Sequence, residues 1–222
     1  MFDLSEQTVY ALIAVAIMLL VGFPVHEFMH AFAANRLGDS TARWQGRLTL
    51  DPRVHLDPLG AGLLALSALL GGIFIGWARP TPVNPMNLQG GRRGEAIVAV
   101  AGPLSNLAMA ALVAIVVRLL VSNADTIAGA TSEQVWLTVT SVTLYFVSIN
   151  VSLFVFNLLP VPPLDGWAAL LGVVSAKLHW QLRGFQARYA QFIPIAFLVI
   201  ILAGGRFLGQ IITPIQRLLV GF

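Results

Sequence analysis

The sequence predicts an all-α polytopic membrane protein, a bundle of about four to six transmembrane or re-entrant helices with a short β-rich insertion on the cytoplasmic side. Two observations support this fold class. Of the 222 residues, 57% are hydrophobic and only 10% are charged, with a mean hydropathy of +0.82, whereas soluble globular domains are about 25% charged. The apolar residues also form runs long enough to cross a hydrocarbon core of about 30 Å.

Charge and cysteine content narrow the classes of function. The chain has no cysteine, so disulfides and thiolate metal ligands are excluded. Its net charge of +3 comes mostly from arginines beside apolar segments, which indicates membrane topology and contact with the lipid bilayer, with no nucleic-acid partner. No lysine or arginine precedes Arg36. The N-terminus therefore lacks the basic region of a signal peptide, and we expect the first apolar run to remain in the mature protein.

The first apolar run, residues 9–25, contains no charged residue and leads into the motif His-Glu-Phe-Met-His at residues 26–30. Residues four apart on a helix share one face, so His26 and His30 can offer two imidazole nitrogens to one metal ion. Glu27 lies one step around the helix, within reach of a water molecule at that metal, and is the predicted general base. Because ionisable residues in membrane segments are usually functional, this interpretation is preferred to a coincidence of helix-end histidines.

Prolines and glycines predict three interruptions of helical structure. Pro24 is expected to bend the first helix just before the motif; an ordinary tolerated membrane-helix proline is the alternative. Residues 59–77 are apolar, glycine-rich and flanked by arginine on both sides, which favours a re-entrant or hairpin segment over a span. Residues 78–88 contain three prolines and are predicted to be extended.

The polar stretch at residues 36–58 is predicted to be cytoplasmic by the positive-inside rule. It contains no lysine and four arginines, namely Arg36, Arg43, Arg47 and Arg53. Alternating apolar and polar residues at 42–50 predict short strands. His55 with Asp51 and Asp57 forms a second candidate metal cluster, although a solvated loop is the preferred interpretation.

Two more spans follow on the carboxyl side. Glu95–Leu120 contains Gly-Pro-Leu-Ser-Asn at residues 102–106. Its Asn106 is expected either to form hydrogen bonds between helices or to act at the metal site. Residues 122–134 contain two acids and no basic residue, as expected of an outer loop. The last predicted span is 191–209, which includes Arg206.

The span from Val135 to Leu159 ends in Asn-Leu-Leu-Pro-Val-Pro-Pro-Leu-Asp-Gly at residues 157–166. Its prolines break the helix, so we expect Asp165 on non-helical backbone at the membrane edge, at the depth of the His-Glu motif. A carboxylate beside two imidazoles suits a catalytic zinc that keeps one position open for water. Asp165 is therefore the predicted third ligand, with helix capping or Asp-Gly turn formation as the alternative.

The motifs at residues 26–30, 102–106 and 157–166 together resemble the site-2 protease family of intramembrane zinc metalloproteases. The family signatures are an HExxH helix and an N-x-x-P-x-x-x-L-D-G segment. The chain resembles a minimal form without PDZ or CBS domains, so we expect residues 1–222 to form a single intramembrane metalloprotease domain.

The resemblance implies one Zn²⁺ per chain and catalysis by Glu27. The implied zinc ligands are His26, His30 and Asp165. Asn106 and Asn157 are implied to lie near the site and to help hold the substrate or orient the oxyanion.

The expected function is hydrolysis of peptide bonds in or near the transmembrane segments of membrane protein substrates, as in regulated intramembrane proteolysis. The expected location is the cell membrane, with several passes and an active site near the cytoplasmic face. The extended segment at 79–88 is expected to pair with an unwound substrate by β-augmentation. A metal-ion transporter is an alternative, but the outer half of the bundle offers almost no ligands. A non-catalytic membrane scaffold is a second alternative, but a protein that only binds partners does not need the Glu27 carboxylate.

Overall fold

A computed structural model of the chain describes residues 5–70, 76–124 and 131–221, and these ranges are largely helical. The α-helices, in chain order, are α1 Glu6–Arg36, α2 Thr41–Trp44, α3 Pro52–His55, α4 Pro58–Leu69, α5 Arg92–Ser122, α6 Glu133–Asn157, α7 Asp165–Val173, α8 Ala176–Arg188 and α9 Ile193–Val220. A 3-10 turn at Pro85–Asn87 interrupts the segment 78–88 that was predicted to be extended. Residues 71–75 of the glycine-rich segment and residues 125–130 of the predicted outer loop lie outside the described ranges, as do the side chains at positions 194, 196–198 and 200–206, which include Arg206.

Three of the described helices are long and apolar enough to cross a membrane. They are α1 with 31 residues, α5 with 31 and α6 with 25, and their mean hydropathies are 2.4, 2.3 and 1.8. At a rise of about 1.5 Å per residue, each is longer than a hydrocarbon core of about 30 Å. These helices confirm the prediction of a helical membrane protein.

Helix α5 occupies the middle of the bundle, because it packs against α1, α6 and α7. One apolar core joins α1 to α4 and α6 and includes Tyr10, Met18, Leu64, Phe146 and Ile149. A second core joins α5 and α6 to α9 and includes Ala110, Val117, Val151 and Leu208. The polar residues of the three sequence motifs therefore lie between elements that are held together by apolar packing on both sides.

A π-helical turn at Met18–Gly22 interrupts α1 shortly before Pro24. Proline cannot donate a backbone hydrogen bond to the preceding turn. In the π-helical turn the Phe23 N–H donates to the Met18 carbonyl five residues back, instead of to the carbonyl four residues back as in an α-helix. A Cβ on Gly22 would lie 2.1 Å from the Met18 sulfur, so the glycine provides the space that the Met18 side chain occupies. Such π-turns are frequent at functional sites.

The predicted β-rich insertion is wrong for residues 42–50. In the described ranges no strand is present, and residues 36–58 instead form the short helices α2 and α3 joined by turns. The physical reason is local side-chain capping, which competes with strand formation. Asp39 accepts a hydrogen bond from the Thr41 N–H just before α2, and Asp51 accepts one from the Arg53 N–H at the start of α3.

The two described ends of the glycine-rich segment lie side by side, as expected of a hairpin, and the helix between them packs against α1. Helix α4 has 12 residues and, at about 18 Å, is too short to cross a membrane. Leu56 before it and Ala78 after it form an antiparallel bridge, and the Arg79 N–H donates to the His55 carbonyl at 2.7 Å. A Cβ on Gly60 would lie 2.1 Å from the Trp77 carbonyl oxygen, so glycine permits this close approach.

Candidate active site

Three potential metal ligands converge from two helices. His26 and His30 lie one turn apart on α1, with their Nε2 atoms 3.1 Å from each other. Asp165 Oδ2 lies 3.3 Å from His26 Nε2 and 3.4 Å from His30 Nε2. A tetrahedral zinc ion with bonds of about 2.0–2.2 Å requires ligand atoms about 3.3–3.6 Å apart. The three atoms thus form a triangle of the size that one zinc ion needs.

Asp165 reaches this triangle from the first turn of α7. The sequence predicted non-helical backbone here, whereas Asp165 is the first residue of the helix and Leu164 occupies the capping position. Among the described residues the Asp165 carboxylate contacts His26 and His30 and accepts no backbone N–H, so the capping alternative does not account for it. A Cβ on Gly166 would lie 2.3 Å from the Leu158 carbonyl oxygen. The Asp-Gly pair therefore lets α7 begin directly against the end of the preceding segment.

The other nitrogen of each imidazole has a defined partner. His30 Nδ1 lies 2.8 Å from the Val98 carbonyl oxygen, and His26 Nδ1 lies 2.5 Å from Asn106 Oδ1. Both partners are acceptors, so each Nδ1 carries the proton and each Nε2 is left with a free lone pair. Outer hydrogen bonds of this kind fix the tautomer and orientation of metal-binding histidines.

Gly102 brings the backbone of α5 against both imidazoles. A Cβ at this position would lie 2.2 Å from His30 Nε2 and 2.7 Å from His26 Nε2. Sequence reasoning had selected Asn106 from the motif at 102–106 and had missed Gly102. A glycine inside an apolar helix is by itself a weak signal, because small residues also serve ordinary helix packing in membranes.

Glu27 is 7% exposed and is engaged by the extended segment that follows Ala78. The Thr81 N–H donates to Glu27 Oε2 at 2.8 Å, and the Thr81 hydroxyl lies 2.7 Å from the same oxygen. Both contacts fall on Oε2, and no hydrogen bond from the described residues reaches Oε1. The carboxylate is therefore held by one oxygen while the other is available to a water molecule.

Two buried charged residues from the insertion hold the extended segment in place. Arg47 is 7% exposed and donates through Nη2 to the carbonyls of Arg79 and Pro80. Burial lowers the pKa of the Arg47 guanidinium; the negative charge of Glu27 opposes this shift and Arg79 adds to it. The guanidinium still remains charged, since its ordinary pKa is above 12.

Asp39 is fully buried and anchors the other end of the segment. It accepts hydrogen bonds from the Asn84 N–H at 2.7 Å and the Asn87 side chain at 3.2 Å, besides those from Thr41. Burial alone would raise the pKa of Asp39, but the bonds from Thr41, Asn84 and Asn87 outweigh it and lower the pKa below its usual value. Sequence reasoning missed Asp39 and Arg47, because a single sequence does not distinguish them from other charged loop residues.

Comparison with known proteins identifies the family. A profile described as "Peptidase family M50" matches residues 14–201, which is most of the chain. The chain belongs to peptidase family M50. This is the site-2 protease family that the three motifs resemble, so the chain is a zinc metalloprotease, and three of its described helices are long and apolar enough to cross a membrane.

Several relatives of this M50 peptidase carry related names. A protein named "Putative zinc metalloprotease YwhC" from Bacillus subtilis is 35% identical over 205 residues, covering 90% of this chain and 80% of that protein. Proteins named "Putative zinc metalloprotease Rip2" are 36% identical in Mycobacterium tuberculosis, covering 83% of this chain and 64% of the relative, and 36% identical in Mycolicibacterium smegmatis, covering 68% and 53%. No solved structure matches the chain significantly.

A cavity of about 790 Å³ opens in front of the candidate site of this M50 peptidase. Its wall includes His26, Glu27, His30 and Asp165, the extended segment, and residues of α6 and α9. Asn157 lines the cavity, and its Nδ2 donates to the Leu153 carbonyl at 3.0 Å. The volume is within the range of about 300–1,000 Å³ that ligand sites occupy.

The second candidate metal cluster is not assembled in the part of the chain that the structure describes. His55 Nε2 lies 2.8 Å from the Thr49 carbonyl, which makes it a donor. Asp51 forms an ion pair with Arg53 at 2.7 Å, and Asp57 caps the start of α4. These three side chains thus have separate structural roles, and the group found close enough to share a metal ion is His26, His30 and Asp165.

Proposed function

We propose that this chain is an intramembrane protease that hydrolyses peptide bonds in or near the transmembrane segments of protein substrates, as in regulated intramembrane proteolysis. The observation that carries the proposal is the triangle of Nε2 and Oδ2 atoms, 3.1–3.4 Å apart, beside Glu27 on a helix of 31 residues. Ionisable residues on a helix long enough to span a membrane mark a functional site, and we infer that its substrates are those that enter the membrane.

The proposed zinc ligands are His26, His30 and Asp165, with one ion per chain. Their donor set fits zinc, because two neutral imidazole nitrogens and one carboxylate oxygen leave a fourth position open. When bound, the zinc ion supplies Lewis-acid activation of a water molecule and of the scissile carbonyl group.

Glu27 is the proposed general base and acid. Its Oε1 accepts a proton from the attacking water and returns it to the nitrogen of the leaving amine. One water is consumed, the peptide C–N bond breaks, and one new carboxyl group and one new amino group form. Thr81 holds Oε2 through its N–H and its hydroxyl, so the carboxylate keeps one orientation during both proton transfers.

A helical substrate must unwind before its backbone is accessible, and the extended segment is the proposed acceptor of the unwound strand. No hydrogen bond from the described residues engages the Val83 N–H, and Pro80, Pro82 and Pro85 have no N–H that would bind the segment to the bundle. The prolines offer no donor to a substrate either, so an added strand would pair by β-augmentation with the free Val83 N–H and with carbonyls of the segment that Arg47 does not occupy. Replacing residues 82–86 with a helical linker should abolish cleavage but leave zinc content unchanged, and unchanged cleavage would refute this step.

We also propose that the site faces the cytoplasm of a multi-pass cell-membrane protein. The insertion after α1 carries four arginines and no lysine, and Arg79, Arg92 and Arg93 follow on the same end of the bundle. The positive-inside rule assigns such a surface to the cytoplasm. Water then reaches the site without crossing the bilayer. Asn157, which lines the cavity, is proposed to hold the substrate or orient the oxyanion.

The deciding experiment measures zinc content and cleavage of a single-span reporter in detergent. The variants are Glu27→Gln, Asp165→Ala and, as a matched control, Glu133→Gln at the exposed start of α6. We expect about one zinc per chain in the wild type, its loss in Asp165→Ala, and loss of cleavage in both site variants. Zinc without any cleavage that depends on Glu27 would favour a transporter or a scaffold.

A further inference from the structure

Two carboxamides extend the candidate site into the middle of the bundle. Asn106 on α5 and Asn150 on α6 are both fully buried. Asn106 Nδ2 donates to Asn150 Oδ1 at 2.9 Å, on the side away from His26. Burying an amide among apolar helices is costly unless it is hydrogen-bonded, and Asn150 does not line the cavity. The burial of Asn150 is therefore explained by its hydrogen bonds within the protein and not by contact with a substrate.

The hydrogen bonds run from the Phe146 carbonyl through Asn150 and Asn106 to His26. The bond at the Phe146 carbonyl determines which group donates in each of the others. Asn150 Nδ2 lies 2.9 Å from the Phe146 carbonyl oxygen, which can only accept. The Asn150 amide therefore turns its nitrogen toward Phe146 and its oxygen toward Asn106. Asn106 must then turn its own nitrogen toward Asn150, which leaves its oxygen toward His26.

The same direction decides the tautomer of the metal-site imidazole. Because Asn106 presents an oxygen to His26, the proton of the neutral ring resides on Nδ1, and Nε2 carries a lone pair toward the ligand triangle. If Asn106 were reversed, its nitrogen would face Nδ1, and the proton would reside on Nε2, where it blocks a metal bond. Two equivalent-looking amide orientations thus have opposite consequences for metal binding.

Helix α1 contributes a second contact to Asn150. Asn150 Nδ2 lies 3.5 Å from the Met18 sulfur, a weak acceptor. Met18 begins the π-helical turn, and its side chain lies over Gly22. The turn that precedes the His-Glu motif therefore packs against the same amide that orients Asn106.

We infer that Asn150 is a positioning residue that, through Asn106, holds His26 in the tautomer that binds zinc. This inference rests on the proposed zinc site but not on the identity of the substrate. Asn150 touches neither the ligand triangle nor Glu27. Its effect on the metal therefore passes through the amide of Asn106, and this dependence can be measured.

The test is zinc affinity, measured by competition with a chelator in the purified full-length protein, which requires no cleavage. We expect Asn106→Leu to weaken zinc binding about 10- to 100-fold and Asn150→Leu about tenfold, the range found for outer hydrogen-bond partners of metal ligands. Asn150→Asp should bind within about twofold of the wild type. A buried carboxyl group stays neutral, and its O–H can replace the Asn150 N–H at the Phe146 carbonyl.

The matched control is Asn123→Ala. Asn123 makes the same bond to the carbonyl four residues back, from its Nδ2 to Leu119 at 2.8 Å, but lies at the exposed end of α5. Its zinc affinity should equal that of the wild type. A weakened control would show that any lost side-chain bond of this type lowers the affinity, and would overturn the inference.

The decisive comparison is the double variant Asn106→Leu with Asn150→Leu. If Asn150 acts through Asn106, adding its substitution to Asn106→Leu should change zinc affinity by less than about twofold. Additive losses would mean that Asn150 supports the fold generally, and would overturn the inference. Failure of Asn150→Asp to retain zinc would also overturn it. Absence of proteolysis with these affinities as expected would refute only the proposed function.

Discussion

Gly102→Ala tests the geometry of the site with a single methyl group. The added Cβ would lie 2.2 Å from His30 Nε2 and 2.7 Å from His26 Nε2. An ordinary van der Waals contact needs about 3.4 Å or more, so His30 must move by about 1.2 Å. Metal–ligand distances tolerate only about 0.2 Å. We therefore expect zinc affinity to fall by at least about 100-fold, with loss of cleavage.

Two controls separate this effect from a general loss of stability. Alanine is favoured over glycine inside a helix by about 1 kcal/mol, whereas crowding both imidazoles costs about 1–3 kcal/mol. Zinc-free Gly102→Ala should therefore still fold and lose no more than about 2 kcal/mol of stability. Gly184→Ala, on α8, adds a methyl group with nothing within 4 Å and should bind zinc normally. The assay is chelator competition, followed by thermal unfolding in detergent. Wild-type zinc affinity in Gly102→Ala would refute the reasoning that α5 approaches the ligand atoms this closely.

Three further predictions concern the extended segment. Arg47→Leu leaves the carbonyls of Arg79 and Pro80 without their donor and should reduce kcat/KM about tenfold without changing zinc content. The control Arg53→Leu replaces an exposed arginine and should match the wild type. Equal activity of the two variants would exclude a role of Arg47 in anchoring the extended segment. Thr81→Val removes one hydrogen bond to Glu27 but keeps the backbone bond, so kcat should fall about threefold, and a larger effect on KM would contradict an orienting role. The pKa of Asp39 is lowered in the folded protein, so the stabilisation by its carboxylate is present above the usual carboxyl pKa of about 4 and is lost as pH falls through the lower folded-state pKa. In unfolding measurements from pH 6 to 3, the difference in stability between wild type and Asp39→Asn should therefore shrink on acidification. A constant difference would refute this role of Asp39.

Local periodicity accounts for the features that were predicted from the sequence. The apolar runs of α1, α5 and α6 are properties of contiguous residues, so the sequence alone predicted these three spans. The prediction of four to six helices also included a span at 191–209, and many side chains of that stretch lie outside the described residues. The spacing of His26 and His30 needs only one helical turn to bring their nitrogens together. The third group, Asp165, was expected from its chemistry and its motif, and its Oδ2 lies 3.3 Å from His26 Nε2.

The insertion shows where local reasoning failed. Alternation at residues 42–50 predicted strands, but the Thr41 N–H bonds to Asp39 where a short helix begins, residues 45–50 form turns, and Asp51 caps the next helix at Pro52–His55. A period of two over a few residues is a weak signal when capping residues stand on both sides. The hairpin geometry of the glycine-rich segment was expected from flanking charge, and the Leu56–Ala78 bridge brings its ends together.

By itself, the sequence determined the helical membrane character, the His-Glu motif and the family, because each depends on residues that are near neighbours in the chain or on a motif with fixed spacing. Besides Asp165 and Asn106, which the motifs predicted, only the tertiary structure decided which groups support that motif. Asn150 lies 44 positions from Asn106, and Thr81 lies 54 positions from Glu27. Contacts at such separations arise from how α1, α5, α6 and the extended segment pack, and helical periodicity carries no information about them.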